Sequence, residues 1–221
     1  MTYGLRVALI DSDDFVREGR ILLLQSQPTT QIVYESGDPT ASLDAVADYL
    51  LDVIIVDTRI PGWKAADFLA ELSRRLDDAG NDAQILALTA FGSSEFELSC
   101  LRAGAAVVVS SEQGFAELLK QIRLVGTREN TIPRTYLEGL IASVDATMAP
   151  DPNVARSLSV LDASQIEVIK AMLDGRTDSQ ISRELDLTRY RVAKFIESLR
   201  ASSNFRTRQQ LAIELLSIGG L

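Results

Sequence analysis

The chain of 221 residues has no histidine and a single cysteine. Without histidine there is no Ser-His or Cys-His nucleophile pair and no imidazole-ligated zinc. Cys100 has no second thiol with which to close an internal disulfide; in "FELSCLRAGA" it falls where a helix would face a core, and it is expected to be buried. No apolar run approaches the roughly 20 residues that span a bilayer. "MTYGLRVALID" lacks the basic flank and long apolar stretch of a signal peptide, so a cytoplasmic protein with no membrane partner is expected. Chemistry is left to carboxylates, hydroxyls and lysines.

What is present is an ordinary folded composition, 46% hydrophobic and 24% charged, at a length natural for two domains. The net charge of -9 is unevenly spread. Residues 1–157 carry 13 Lys and Arg against 23 Asp and Glu, whereas 158–221 carry nine against eight. Two modules with different partners follow from that asymmetry, and the near-neutral tail, with clustered arginines, is able to grip an anion.

Through residue 125, short apolar runs alternate with amphipathic ones. "RVALI" (6–10), "QIVYE" (31–35), "DVIIV" (52–56), "QILAL" (84–88) and "AAVVV" (105–109) fit buried parallel strands. "FVREGRILLLQSQ", "TASLDAVADYL", "AADFLAELSRRLDD", "SSEFELSCLRAG" and "GFAELLKQIRLV" have helical spacing. Five βα units in series predict a parallel sheet with helices on both faces and active groups at the carboxyl ends of the strands. Asp11, Asp57 and Thr89 end the first, third and fourth runs and are expected to converge on one crevice.

Residues 1–125 resemble the receiver domain of bacterial response regulators. The resemblance rests on the acids of "VALIDSDDF", the aspartate of "VIIVDTRIPGW", the Thr-Ala of "LALTAFG" and the "RAGA" before the fifth strand. It implies a flavodoxin-like (βα)5 fold with strand order 2-1-3-4-5. It also implies phosphorylation of Asp57 by a histidine kinase, with Thr89 reading the phosphoryl group. Magnesium would be held by Asp11, Asp57 and the carbonyl of Arg59. Three positions depart from the pattern. Ser12 replaces the second acid, Ser111 the pocket lysine, and Val108 the aromatic lever. Losing a carboxylate and an ammonium weakens both metal and phosphoryl binding, so control without phosphorylation, by a protein or ligand partner, is the alternative. "LIDSD" also matches the start of haloacid-dehalogenase-like phosphatases, with Asp11 as nucleophile, but the downstream lysine and the later acidic metal site of those enzymes are missing. A non-enzyme is expected.

Residues 126–157 read as a linker. A helix between Pro133 and Met148 carries Tyr136, Leu137, Leu140, Ile141 and Val144 on one stripe, and "MAPDPN" breaks it. From 158 to 221 the pattern is all-α. Asp162 caps "DASQIEVIKAMLDG", "TDSQISRELDL" follows, then "TRYRVAKFIESLRASSNF", then "RTRQQLAIELLSIGG". This four-helix segment resembles a LuxR-type helix-turn-helix. With the receiver it gives the architecture of the NarL/FixJ group of response regulators, which implies a transcription regulator acting on double-stranded DNA as a homodimer. The recognition helix is expected over Thr188–Ala201, with Val192, Phe195, Ile196 and Leu199 inward. Arg189, Tyr190, Arg191 and Lys194 would face DNA, and Arg206 and Arg208 a second stretch of phosphates. Leu211, Ala212, Leu215 and Ile218 form either a dimer seam or part of the domain's own core.

Overall fold

The computed structural model describes residues 4–129, 131–144 and 161–218. The chain divides into two compact units, Met1–Gly92 with Ser99–Arg128, and Ser93–Leu98 with Glu129–Leu221.

In the first unit β1 (Leu5–Ile10), β2 (Thr30–Ser36), β3 (Val53–Asp57), β4 (Gln84–Thr89) and β5 (Ala105–Ser110) pair in parallel, in the order β2-β1-β3-β4-β5. β1, β3 and β4 read as apolar runs because both faces are covered, whereas β2, expected to be buried, lies at the sheet edge and has no fully buried residue. Val7, Leu9, Val53, Ile55, Leu86 and Leu88 pack with Leu24 of α1 (Asp14–Gln25) and with Leu118, Ile122 and Val125 of α5 (Gly114–Gly126). The alternating residues Ala8, Ile10, Ile54, Val56, Ile85 and Ala87 are buried as well. α2 (Pro39–Ala45), α3 (Ala65–Asp78) and the end of α4 (Ser94–Arg102) complete the connections, the start of α4 through Leu98 grouping with the second unit. Cys100 is buried on α4, as its setting suggested.

The second unit contains α6 (Arg134–Ala142), α7 (Ala163–Leu173), α8 (Asp178–Glu184), α9 (Arg189–Ser202) and α10 (Arg208–Ile218). Each helix of the motif begins on a side-chain cap. Asp162 and Gln165 form a reciprocal capping box on α7, Thr177 and Gln180 do so on α8, and Thr188 caps α9. Asp186 takes a left-handed conformation in the α8–α9 turn, a position its short polar side chain tolerates.

The helix expected as a connector is instead part of this unit. Leu137 and Leu140 of α6 are buried. Gly175, left-handed just past α7, gives the backbone before α6 its room: a Cβ there would lie 3.2 Å from the Cα of Pro133. Tyr136, partly exposed, donates its hydroxyl to Glu97 at 2.8 Å. The helix ends at Ala142, capped by Ser143, short of the expected Met148 and leaving Val144 outside it; the "MAPDPN" segment and the domain start at Leu158 lie outside the described residues.

Candidate functional site: an acidic pocket and a basic helix

Asp11 and Asp57 meet at the carboxyl ends of β1 and β3 because the two strands pair in register, Ile10 opposite Val56. Both are buried, 2% and 4% exposed. Their carboxylates share one cation that the strand pattern did not reveal. Nη1 of Arg20, from α1, contacts an oxygen of Asp11 and lies 2.9 Å from Oδ2 of Asp57. Arg59 closes the other side: its backbone N–H and Nε each donate to Asp57 Oδ1 at 3.0 Å, and Nη2 donates to Oδ2 at 3.1 Å. Asp57 therefore receives four donors, close to the full capacity of a carboxylate.

Electrostatics follows the geometry. Burial pushes the Asp57 carboxyl up, but the hydrogen bonds from Arg59 and Arg20 more than reverse it and hold it below the usual range. At Asp11 burial prevails over the Asp13 backbone N–H and the Arg20 charge, and the carboxyl is raised. The remaining opening residues have local tasks. Asp13 caps α1 by accepting from the N–H of Val16 at 3.1 Å, and Ser12 donates its hydroxyl to the carbonyl of Arg59 at 3.1 Å. Thr89 is buried and donates to the carbonyl of Phe91 at 2.7 Å. Ser111, where the resemblance places a lysine, is exposed in a short turn after β5.

The magnesium implied by the resemblance was expected on Asp11, Asp57 and the carbonyl of Arg59. All three are engaged by the chain itself, through Arg20, Arg59 and Ser12. Among the described residues no group of three or more Asp, Glu, His or Cys side chains is placed to hold a metal ion. The residues as arranged do not fit the expected metal cup. Sequence reasoning missed Arg20 and the side chain of Arg59. A signal for Arg20 was available: Val16, Arg20 and Leu24 recur every four residues, which puts a charge on the inward stripe of α1.

In the second unit α9 buries Val192, Ile196 and Leu199 and half-buries Phe195. Its other face exposes Arg189, Tyr190, Arg191 and Lys194. Tyr190 is 70% exposed, with the Lys194 ammonium 5.6 Å over its ring. Arg189 and Arg191 make no ion pair among the described residues.

Arg206 and Arg208 do not share this face. Arg206 is buried. Arg208 donates to Asp178 at 2.7 Å and to the carbonyl of Arg176 at 2.5 Å, tying α10 to the first turn of α8. Burial lowers the Arg208 guanidinium pKa against the pull of Asp178. Arg208 is thus committed to an acid and a carbonyl of its own unit and Arg206 is buried, so neither joins the exposed face of α9 as the expected phosphate grip. On α10, Leu211, Ala212 and Leu215 are buried within the unit, as a core would have them, while Ile218 at the end of the stripe is partly exposed.

Comparison with known proteins agrees with this architecture. The chain belongs to the response regulator receiver domain family, which it matches over residues 7–123, and its order of units is that of the NarL/FixJ group. It is 26% identical over 210 residues to the DNA-binding transcriptional activator DevR/DosR of Mycobacterium tuberculosis, covering 95% of this chain and 93% of that one. It is 26% identical over 215 residues to the nitrate/nitrite response regulator protein NarP of Escherichia coli, covering 97% and 96%. The RcsB response regulator of Salmonella typhimurium shares the fold, with a TM-score of 0.54 at 16% identity over 98% of this chain and 100% of that one. These relatives are regulators by name, in keeping with the expectation of a non-enzyme. Among the described residues no helix is long and apolar enough to cross a membrane.

Proposed function

We propose that this chain is a cytoplasmic transcription regulator that binds double-stranded DNA through α9, as a homodimer, under the control of its receiver unit. The carrying observation is the exposed face of Arg189, Tyr190, Arg191 and Lys194 on the second helix of a capped helix-turn-helix. An α-helix of this kind fits the major groove. There, arginines reach guanine edges, and lysines and arginines neutralise phosphates with release of counterions. The name of DevR/DosR, a DNA-binding activator aligned over nearly the whole chain, supports the reading. The test is fluorescence anisotropy with a pool of genomic duplexes across a salt series. Binding that weakens steeply with salt is expected; absence of salt-dependent binding to any duplex overturns the proposal.

Two copies match two half-sites on DNA. With Leu211, Ala212 and Leu215 of α10 buried inside their own unit, the apolar surface left for self-association includes Phe15, Leu22 and Leu23, exposed on α1. Sedimentation of the full chain distinguishes dimer from monomer.

For the receiver, the family expectation is phosphoryl transfer from a histidine kinase to Asp57, read by Thr89. The occupation of both Asp57 oxygens by Arg20 and Arg59 favours the second reading, control by a protein or small-molecule partner without phosphorylation. Intact-protein mass after incubation with magnesium and a small phosphoryl donor decides between them. Gain of one phosphoryl group, absent in Asp57→Ala, restores the kinase-driven switch; no gain supports phosphorylation-independent control.

A further inference from the structure

We infer that the guanidinium of Arg20 is the resident cation of the receiver pocket, filling from within the chain the bridging place that the family resemblance assigns to magnesium. The inference concerns the receiver alone and stands independently of DNA binding by α9.

The geometry is that of a bridge. One nitrogen, Nη1 of Arg20, contacts an oxygen of Asp11 and an oxygen of Asp57. These two carboxylates come from separate strands and otherwise repel. The third ligand the resemblance offers, the carbonyl of Arg59, accepts the Ser12 hydroxyl, and Ser12 is the residue standing where a second acid is missing. The nearest further acid, Asp13, is committed to the N-terminus of α1.

Charge gives the same result. Two buried carboxylates are matched by the guanidinium groups of Arg20 and Arg59, so the cluster is neutral with no added ion. A divalent cation entering it has to shed water and displace Arg20. Magnesium dehydrates reluctantly, and here it would gain two carboxylates where the pattern has three acids. The planar guanidinium, being weakly hydrated, gives up less on entering the pocket.

The surrounding structure holds Arg20 in this role. It lies on the inward stripe of α1, one turn from Val16 and one from the fully buried Leu24. Arg17, one turn before it, donates to the carbonyl of Asp11 at 2.8 Å and pairs with Glu35 at 2.7 Å, so that both arginines of α1 grip the end of β1 or its neighbour β2. Gly37 makes room for this: a Cβ there would lie 2.5 Å from Nη1 of Arg17.

The experiment is a titration of the full chain with Mn2+, a paramagnetic stand-in for magnesium, with free ion followed by electron paramagnetic resonance. The unmodified chain is expected to show no saturable uptake. Arg20→Met, which vacates the bridge, is expected to take up one ion at least about tenfold more tightly, while Arg20→Lys, which keeps a cation, behaves like the unmodified chain. Saturable uptake by the unmodified chain that Asp57→Asn abolishes overturns the inference, and this arm needs no variant of Arg20 to fold. A folded Arg20→Met chain that titrates like the unmodified one overturns it too. Loss of DNA binding by the unmodified chain, with the Mn2+ results as expected, sinks the proposed function and leaves this inference intact.

Discussion

The pocket at the ends of β1 and β3 and the outer face of α9 are both built on arginines, and they use them in opposite ways. In the pocket, Arg20 and Arg59 are matched one for one by buried carboxylates of the same unit. On α9, Arg189 and Arg191 face solvent without a partner among the described residues. The second unit repeats the contrast internally: Arg208 turns in to Asp178, whereas Arg191, on the preceding helix, points out. The fold brings acids within reach of Arg20, Arg59 and Arg208, and leaves Arg189 and Arg191 exposed. Local composition does not decide which.

The contrast can be broken from the inward side first. Arg20→Met leaves Asp11 and Asp57 facing each other without their shared cation, and is expected to lower unfolding stability by about 3–5 kcal/mol, as for breaking a buried pair. Urea unfolding reads it, and a loss under roughly 1 kcal/mol would show the pocket to be no real ion cluster. Asp178→Ala is expected to cost about 1–3 kcal/mol, since it strips a largely buried guanidinium of its charged acceptor. Duplex binding per folded molecule should stay unchanged, and a weakening of binding alone would return Arg208 to the interface.

On the outward side, Arg191→Ala is expected to leave the unfolding midpoint in place. It should flatten the salt dependence of duplex binding by about one unit of slope, and an unchanged slope would remove Arg191 from the phosphate or base contacts. The smallest effect belongs to a partly exposed pair, Arg6 with Asp52, whose oxygens accept from the Arg6 backbone and guanidinium. The Arg6 side-chain hydrogen bond holds the Asp52 carboxyl below its ordinary value. A depressed carboxylate stabilises the fold above its unfolded pKa, about 3.9, and the contribution is lost as pH falls through the lowered value. The difference in Tm between the unmodified chain and Asp52→Asn should therefore be present at neutral pH and close in acid; a difference that persists in acid would mean packing rather than charge.

The five strands and the helix-turn-helix were legible in the sequence because each follows from local pattern. "DVIIV" and "QILAL" are continuous apolar runs buried on both faces, and α9 shows its stripe of Val192, Ile196 and Leu199 between a Thr cap and exposed cations. The meeting of Asp11 and Asp57 was legible too, since parallel strands in register bring their ends together. What was hidden depends on long side chains choosing partners across the fold. Arg20 reaches an acid 37 residues away, and Arg208 one 30 residues away. The assignment of Leu211 and Leu215 to a core rather than a seam depends likewise on which neighbours cover them. Periodicity marks a residue as inward or outward on its own helix but does not say what waits opposite.

Arg20 has one property that a bound ion lacks: it is part of a helix. An ion between Asp11 and Asp57 would join two strand ends, whereas this guanidinium also anchors α1 to both. The first helix and the ends of β1 and β3 are consequently expected to open to solvent as one cooperative piece, with backbone amides from Ile10 to Leu24 exchanging hydrogen together rather than fraying from the helix start.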